Sequence, residues 1–429
     1  VLKIDLETQK KSVFNWFNPL NNLKSISPDY NKNKEDFYNK VYEATKLRLD
    51  ADLKIGTSLS GGLDSSVIFS VLNQIDSKEN FNKSIDLNPV IIDYNESLTT
   101  KYAQDLSNLY DKKPTTINAD LKYNINSLTY LFSQLEIVDE YNKQLELYKK
   151  QKELGIDVSI DGLGPDEFLG MPSFMPQLSF TYYNNLTNIN KINFDFESSN
   201  NINLMTQFFG ELAKNKNKAI LNFANFIDTK NYFADYLPIN KINFSERDTT
   251  INDYIGDLAN YNTDFQYTFF KTHCGFLQYF LHKWDRASMA NSVEIRSPFL
   301  DKNVYLFMLS LPLDMKIKNG KLKSILNDSF DNLLPDYITG QKFKQGLPVS
   351  KKDIDDSNIK NIILEITTQE DFNNYCWDAK KIKTDYKENK NVELIWRIVK
   401  YYLMKKGFKE RLNNTENTNI DFSTVPVLS

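Results

Sequence analysis

Cysteine and histidine are almost missing from these 429 residues, with two of each. Cys274 and Cys376 lie far apart, so no disulfide framework and no CxxC metal pair can be drawn, and a reducing cytoplasm is the expected compartment. His273 and His282 are too few for a histidine-rich metal centre. Long apolar runs are missing as well: none approaches the roughly 18 residues that a membrane helix needs. No secretory signal is recognisable at the start. The first residue is Val1 rather than Met, which leads us to expect further residues upstream. Nor does one sign of charge dominate. The 52 basic and 56 acidic side chains leave a formal net charge of -4, which argues against a protein held to nucleic acid by bulk positive charge. What remains is an ordinary globular composition, 41% hydrophobic and 25% charged, on a chain long enough for one large domain or two modest ones.

The order of patterns along the chain says more. Residues 1 to about 30 read as an irregular entry segment or linker. From Lys34 to Leu49, "KEDFYNKVYEATKLRL" places Phe37, Val41, Ala44 and Leu47 on one helical face. Lys54–Ser60 then reads as a strand and Leu63–Leu72 as a helix; Asn88–Tyr94, "NPVIIDY", is an apolar run suited to a strand buried on both faces. Thr100–Tyr110 reads as a helix, Pro114–Asn118 as a strand, and helical patterns occupy about 122–136 and 141–154. "IDVSIDGLGPDE", Ile156–Glu167, is a strand running into a glycine-rich turn. Strands alternating with helices predict βαβ units and a parallel sheet, with ligands at the carboxyl ends of the strands. Residues 173–255 are rich in aromatics and Asn and only weakly periodic, and from Phe265 onward the pattern is mostly helical. The fold class expected is α/β, a parallel doubly wound sheet with a mostly helical C-terminal part.

One corner carries chemistry. Between the first strand and its helix stands Ser60-Gly61-Gly62-Leu63-Asp64-Ser65-Ser66. Glycines let the backbone approach an anion, and the helix that follows offers unpaired N–H groups and the positive end of its dipole. Ser60, Ser65 and Ser66 add hydroxyls directed at phosphate oxygens. Asp64 would be repelled by a phosphate unless a cation sat between them, which points to Mg²⁺ held jointly by Asp64 and phosphate oxygens. The plainer reading is a glycine turn in which Asp64 caps a helix. No GxxxxGK[ST] is present, so this is not a Walker loop.

The corner resembles the pyrophosphate-binding SGGxDS loop of the ATP pyrophosphatases, which split ATP between its α and β phosphates. Two further stretches resemble one branch of that group, the asparagine synthetases. "SIDGLGPDEFLG", Ser159–Gly170, is similar to their SGEGxDExFGG segment, and "KWDRASMANSVEIRSPFLD", Lys283–Asp301, to their DRxSMxxSxExRxPFLD signature. "NGKLKSIL" (Asn319–Leu326) and "KFKQGLP" (Lys342–Pro348) resemble the lysine-bearing segments of the same family. The resemblance spans about residues 35 to 410 and covers the synthetase half only; the catalytic N-terminal cysteine of the glutaminase half has no counterpart here.

The resemblance implies an adenine nucleotide alpha hydrolase-like (PP-loop) fold, ATP and Mg²⁺ as cofactors, and adenylation of a carboxylate followed by attack of ammonia or another amine. Asp64 and Asp166 would be the metal carboxylates, and Lys344, with Lys323, would neutralise the phosphates; Lys342 is the alternative bearer of that charge. Ser60, Gly61, Gly62, Leu63, Asp64, Ser65, Ser66, Ile92, Asp161 and Gly162 form the expected nucleotide-contacting set. Glu294, Arg296 and Asp301 are read as architectural. The tandem of His273 and Cys274 reads as a packed core pair rather than a nucleophile and its base.

The match departs at Leu163, where the family has a glutamate thought to act near the incoming nitrogen; an apolar side chain cannot take a proton. Asp161 replaces the family's serine and brings a carboxylate close by, and Met171 replaces a glycine. Three readings follow. The first is a ligase of the asparagine synthetase type with aspartate as substrate. The second keeps the adenylation chemistry on another carboxylate, such as a sugar uronate, a peptide or a β-lactam precursor. The third is a non-catalytic nucleotide-binding homologue. The expected division is a linker at 1–33, the ATP pyrophosphatase domain at 34–415 and a tail at 416–429, with acceptor choice residing in 173–255. Expected partners are a small carboxylate, an amine donor, a separate or upstream glutaminase and a second copy of the chain, with no nucleic acid and no membrane.

Overall fold

A computed structural model describes residues 2–13, 17–79, 85–93, 97–118, 124–135, 143–169, 261, 265, 268–269, 272–273, 276–318, 321–341, 357–373 and 378–416. The first residues are not irregular, as their composition implied. β1 (Leu2–Ile4) and β2 (Lys11–Val13) pair antiparallel as a hairpin, Leu2 opposite Val13. Strands of three residues are too short to announce themselves by alternation.

α1 (Tyr30–Leu47) begins where the Asp29 side chain accepts the Asn31 N–H at 2.9 Å. It buries Phe37, Val41, Ala44 and Thr45, whereas Leu47, expected on that face, is 68% exposed. Then the alternation predicted from sequence follows: β3 (Ile55–Thr57), α2 (Leu63–Glu79), β4 (Val90–Asp93), α3 (Leu98–Leu109), β5 (Thr115–Asn118), α4 (Ile125–Leu135), α5 (Lys143–Glu153), β6 (Val158–Ile160) and the short α6 (Pro165–Leu169). After α7 (Phe276–Met289) and β7 (Glu294–Arg296), the described residues are helical: α8 (Lys302–Ser310), α9 (Ser324–Ser329), α10 (Ser357–Ile366), α11 (Ala379–Lys387) and α12 (Val392–Glu416), with single turns between them.

β3, β6 and β7 form one parallel ladder and β4 with β5 another. The two ladders meet where Ser58 bridges Val90, the Leu59 N–H donating to the Val90 carbonyl at 3.1 Å. The order across is therefore β5–β4–β3–β6–β7, and the chain builds outward first to one side of β3, then to the other. Where strand order reverses, two neighbouring loops leave the sheet in opposite directions and open a crevice at the carboxyl ends of the strands. Here the reversal falls between β3 and β6, which points to the loops that follow those two strands.

Apolar residues cover both faces of the sheet. Ile55, Val158 and Ile160 pack with α1, α2 and α8, while Val90 packs with α4, α5, α10 and α12. Ile91 turns to the opposite side from Val90, against Phe69 and Ala103. Helix α2 is buried nearly all round, through Val67, Ile68, Phe69, Val71, Leu72 and Ile75. This holds the residues at its start in a fixed place. Among the described residues, no helix is long and apolar enough to cross a membrane.

Candidate active site

The loop after β3 is tied to itself and to its surroundings. The Ser60 and Ser65 hydroxyls lie 2.9 Å apart, the Gly62 N–H donates to Ser60 Oγ at 3.3 Å, and Ser65 Oγ donates to the Gly62 carbonyl at 3.2 Å. Gly61 has φ +75, and a Cβ there would sit 2.0 Å from the Thr99 carbonyl oxygen at the start of α3. Only glycine fits both the dihedral and the gap. Leu63 opens α2, and Asp64 stands in its first turn. Ser60 is exposed and Ser65 half-buried, but Ser66 is fully buried and its hydroxyl has no hydrogen-bond partner.

The loop after β6 comes to the same place. A Cβ on Gly162 would lie 2.7 Å from the Asp64 carbonyl carbon and 2.8 Å from the Ser65 nitrogen, so the two loops touch backbone to backbone. Asp166 follows on α6. Between the carboxylates lies an ammonium: Lys323 Nζ donates to Asp64 Oδ1 at 2.7 Å and Oδ2 at 2.5 Å, and to Asp166 Oδ1 at 2.6 Å. The Lys323 and Asp64 side chains are only 10% and 12% exposed, Asp166 38%. Lys323, expected at the phosphates, is here held by the two carboxylates.

An ammonium is a stand-in for a metal in one respect: it marks a point where acidic oxygens from two loops already converge on a single cation. Among the described residues, no group of three or more His, Cys, Asp or Glu could hold a metal ion. Two carboxylates suit a hard dication such as magnesium, which keeps waters and takes further oxygens from phosphates. The donor set fits that ion.

Asp161 has a different surrounding. It is 2% exposed, and three hydroxyls donate to it: Ser58 at 2.7 Å and Ser159 at 2.9 Å to Oδ1, and Tyr148 at 2.7 Å to Oδ2. Burial pushes the Tyr148 hydroxyl well above the ordinary tyrosine range and the Asp161 charge adds to it, so Tyr148 remains a donor. The clamp ties the ends of β3 and β6 together through α5. Sequence reasoning missed Tyr148 and Ser58; the one available signal was that a carboxylate on a buried strand requires donors.

Ile92 is half-buried near the end of β4, and Leu163 is half-buried with its carbonyl accepting from Ser297 Oγ at 2.7 Å. Gln341, also missed, donates from Nε2 to the Gly61 carbonyl at 2.9 Å. Lys342, Lys344, Met171, Cys274, Cys376 and 173–255 lie outside the described residues. Arg296 donates to the carbonyls of Arg48 and Asp50 at 2.8 Å and pairs with Glu294, and Arg48 pairs with Asp301 at 3.2 Å. Asp301 also accepts the Asn303 N–H as the cap of α8. These contacts are architectural. The His273 ring lies tilted against Phe269, centroids 5.0 Å apart, with Nδ1 3.4 Å from the Tyr305 hydroxyl.

Comparison with known proteins gives a consistent picture. The family described as asparagine synthase matches residues 36–405. The asparagine synthetase (glutamine-hydrolyzing) 1 of Bacillus subtilis (strain 168) is 24% identical over 352 residues, which is 76% of this chain and 51% of that protein. The asparagine synthetase (glutamine-hydrolyzing) of Gallus gallus is 32% identical over 115 residues, 24% of this chain and 20% of that one. The mouse (Mus musculus) protein of the same description is 47% identical over 57 residues, 13% and 10% respectively. The chain thus spans about half the length of the Bacillus protein and less of the others.

Proposed function

The chain belongs to the asparagine synthase family, and from that premise we propose that residues 34–415 form an ATP-dependent ligase that makes a carbon–nitrogen bond. The fold proposed is the doubly wound PP-loop type, supported by the parallel strands and the reversal of their order at β3 and β6. The observation that carries the reading is the convergence of Asp64 and Asp166 on one cation beside the glycine loop.

An oxygen of the substrate carboxylate bonds to the α-phosphorus of ATP, the α–β bridging bond breaks, and its electron pair leaves with pyrophosphate. The amine nitrogen then attacks the acyl carbon, AMP departs with the C–O electron pair, and the nitrogen loses a proton. In this scheme the glycine loop and the start of α2 hold the phosphates in line, while the Asp161 clamp keeps Gly162 against the Asp64–Ser65 peptide. Asp64 and Asp166 would hold magnesium, which when bound neutralises charge on the departing pyrophosphate. Lys344, with Lys342 as the alternative, supplies further positive charge. The compartment proposed is the cytoplasm, a reading supported by two cysteines too far apart in sequence to suggest a disulfide framework.

Aspartate is the acceptor proposed first, following the names of the relatives, with ammonia or an external amine as nitrogen source. A different carboxylate is the second reading. It is favoured by Leu163, an apolar side chain in the loop that leads from β6 to Asp166, with no way to take a proton from an amine. Incubation with Mg-ATP, ammonium and a panel of carboxylates, following pyrophosphate and AMP, separates the two. Release that depends on aspartate supports the first, and release only with other carboxylates supports the second. Asp64→Ala is expected to abolish release while circular dichroism stays unchanged. Full activity in a folded Asp64→Ala protein would sink the assignment.

A further inference from the structure

We propose that Lys323 is an internal counter-ion that holds Asp64 and Asp166 together on one cation and yields only when metal and nucleotide arrive together. The inference rests on the reading of Asp64 and Asp166 as the metal carboxylates.

A lysine ammonium has three N–H donors. Here the ammonium faces Asp64 Oδ1 and Oδ2, which share one bifurcated donor at 2.7 and 2.5 Å, and Asp166 Oδ1 at 2.6 Å. While those contacts last, the ammonium is turned toward the carboxylates. A dication drawn to the same oxygens would stand a few ångströms from the ammonium and be repelled by it. Without the ammonium the carboxylates would repel each other, the more so because Asp64 is only 12% exposed, although Asp166 at 38% keeps access to water.

The backbone under Lys323 is held in place. It adopts φ 53 and ψ 35, a left-handed conformation that a side-chain-bearing residue takes up only when its surroundings fix it. Its carbonyl accepts the Asn327 N–H at 2.9 Å, and Ser324 Oγ braces the preceding turn by accepting from the Lys318 N–H at 2.8 Å and donating to the Lys321 carbonyl at 2.6 Å. What can move is the four-carbon stem, a flexible carrier of a point charge. Two carboxylates and one ammonium sum to a single negative charge. A dication entering alone turns that into a single positive charge, with no anion to receive the displaced ammonium. A dication entering with a polyphosphate brings the receiver with it. Lys323 then moves from the carboxylates onto the phosphate oxygens, and binding of the two ligands becomes coupled.

Mn²⁺ serves as the probe, its free concentration followed by electron paramagnetic resonance, with α,β-methylene-ATP as the nucleotide. The wild-type chain is expected to bind Mn²⁺ weakly alone and at least about tenfold more tightly with nucleotide, the scale of a unit charge acting a few ångströms away. Lys323→Met should raise nucleotide-free Mn²⁺ affinity by about tenfold or more and shrink the nucleotide effect, while Lys323→Arg, which keeps the charge, should stay near wild type. Equal nucleotide-free affinity in wild type and a folded Lys323→Met overturns the inference. Should Lys323→Met fail to fold, the wild-type arm decides: nucleotide-free binding as tight as nucleotide-bound binding overturns it equally. Asp64→Asn separates this failure from that of the underlying reading. If nucleotide-promoted Mn²⁺ binding survives Asp64→Asn, the metal assignment itself is wrong. If it is lost there but Lys323→Met changes nothing, only the counter-ion role falls.

Discussion

Gly162→Ala tests the contact on which the site depends. A Cβ at this position would lie 2.7 Å from the carbonyl carbon and oxygen of Asp64 and 2.8 Å from the Ser65 nitrogen, whereas ordinary contact begins at 3.4 Å. The shortfall is 3.4 minus 2.7, or 0.7 Å, and the atoms in the way are backbone rather than a side chain that could swing aside. Neither loop can give freely. On one side, the preceding Asp161 is clamped by Ser58, Ser159 and Tyr148, and the following Leu163 carbonyl is held by Ser297. On the other, Asp64 is in the first turn of a helix buried nearly all round. Overpacking of this kind costs about 1–3 kcal/mol. The same displacement moves the Asp64 carboxylate, and a misplacement of about 1 Å at a reacting centre costs about a hundredfold in rate. We therefore expect pyrophosphate release to fall by a factor of roughly 30–100 in Gly162→Ala. Gly155→Ala is the control: φ is +74 there but nothing lies within 4 Å of the added Cβ, so only backbone strain is introduced. It should lose about 1–2 kcal/mol in urea denaturation and keep its rate while folded. Wild-type rate and stability in Gly162→Ala would refute the argument. An equal rate loss in Gly155→Ala would show that general destabilisation, not loop position, is being read.

Leu163→Glu should leave carboxylate-dependent pyrophosphate release within a few-fold of wild type while changing the amine concentration required; loss of release instead would place this residue at the nucleotide. Tyr148→Phe removes one of three donors from a fully buried carboxylate and should cost about 1–3 kcal/mol in chemical denaturation. Unchanged stability would mean that Asp161 does not depend on the tyrosine. Burial holds the His273 imidazole below its ordinary pKa of 6.5, so below that pH the unfolded chain takes up a proton that the folded one refuses. Stability should accordingly fall as pH drops through about 6.5 and be restored above it. His273→Phe should flatten that slope, and identical slopes in both proteins would count against a buried neutral imidazole.

Some of the molecule was legible along the chain because the information is local. Val90–Asp93 is a buried run with the length of a strand, α2 follows a turn that two glycines announce, and the helical repeat of residues 37 to 44 lies within α1. The same reading failed at Leu47 and at residues 2–13. A face of a long helix is ended by what packs on it, and a hairpin of three-residue strands has no period to detect.

Spacing and residue type alone determined that a glycine corner with a carboxylate follows the first long-range strand, and that a second glycine turn with a carboxylate follows a later one. Those are properties of backbone freedom and of charge, and they need no neighbours. Tertiary structure decided the rest: that the two strands are adjacent, that Gly162 leans on the Asp64 peptide, that three hydroxyls meet Asp161, and that Lys323 comes from far along the chain to lie between the acids. Such pairings follow from which surfaces bury each other, and nothing in the order of residues records that before the chain has folded.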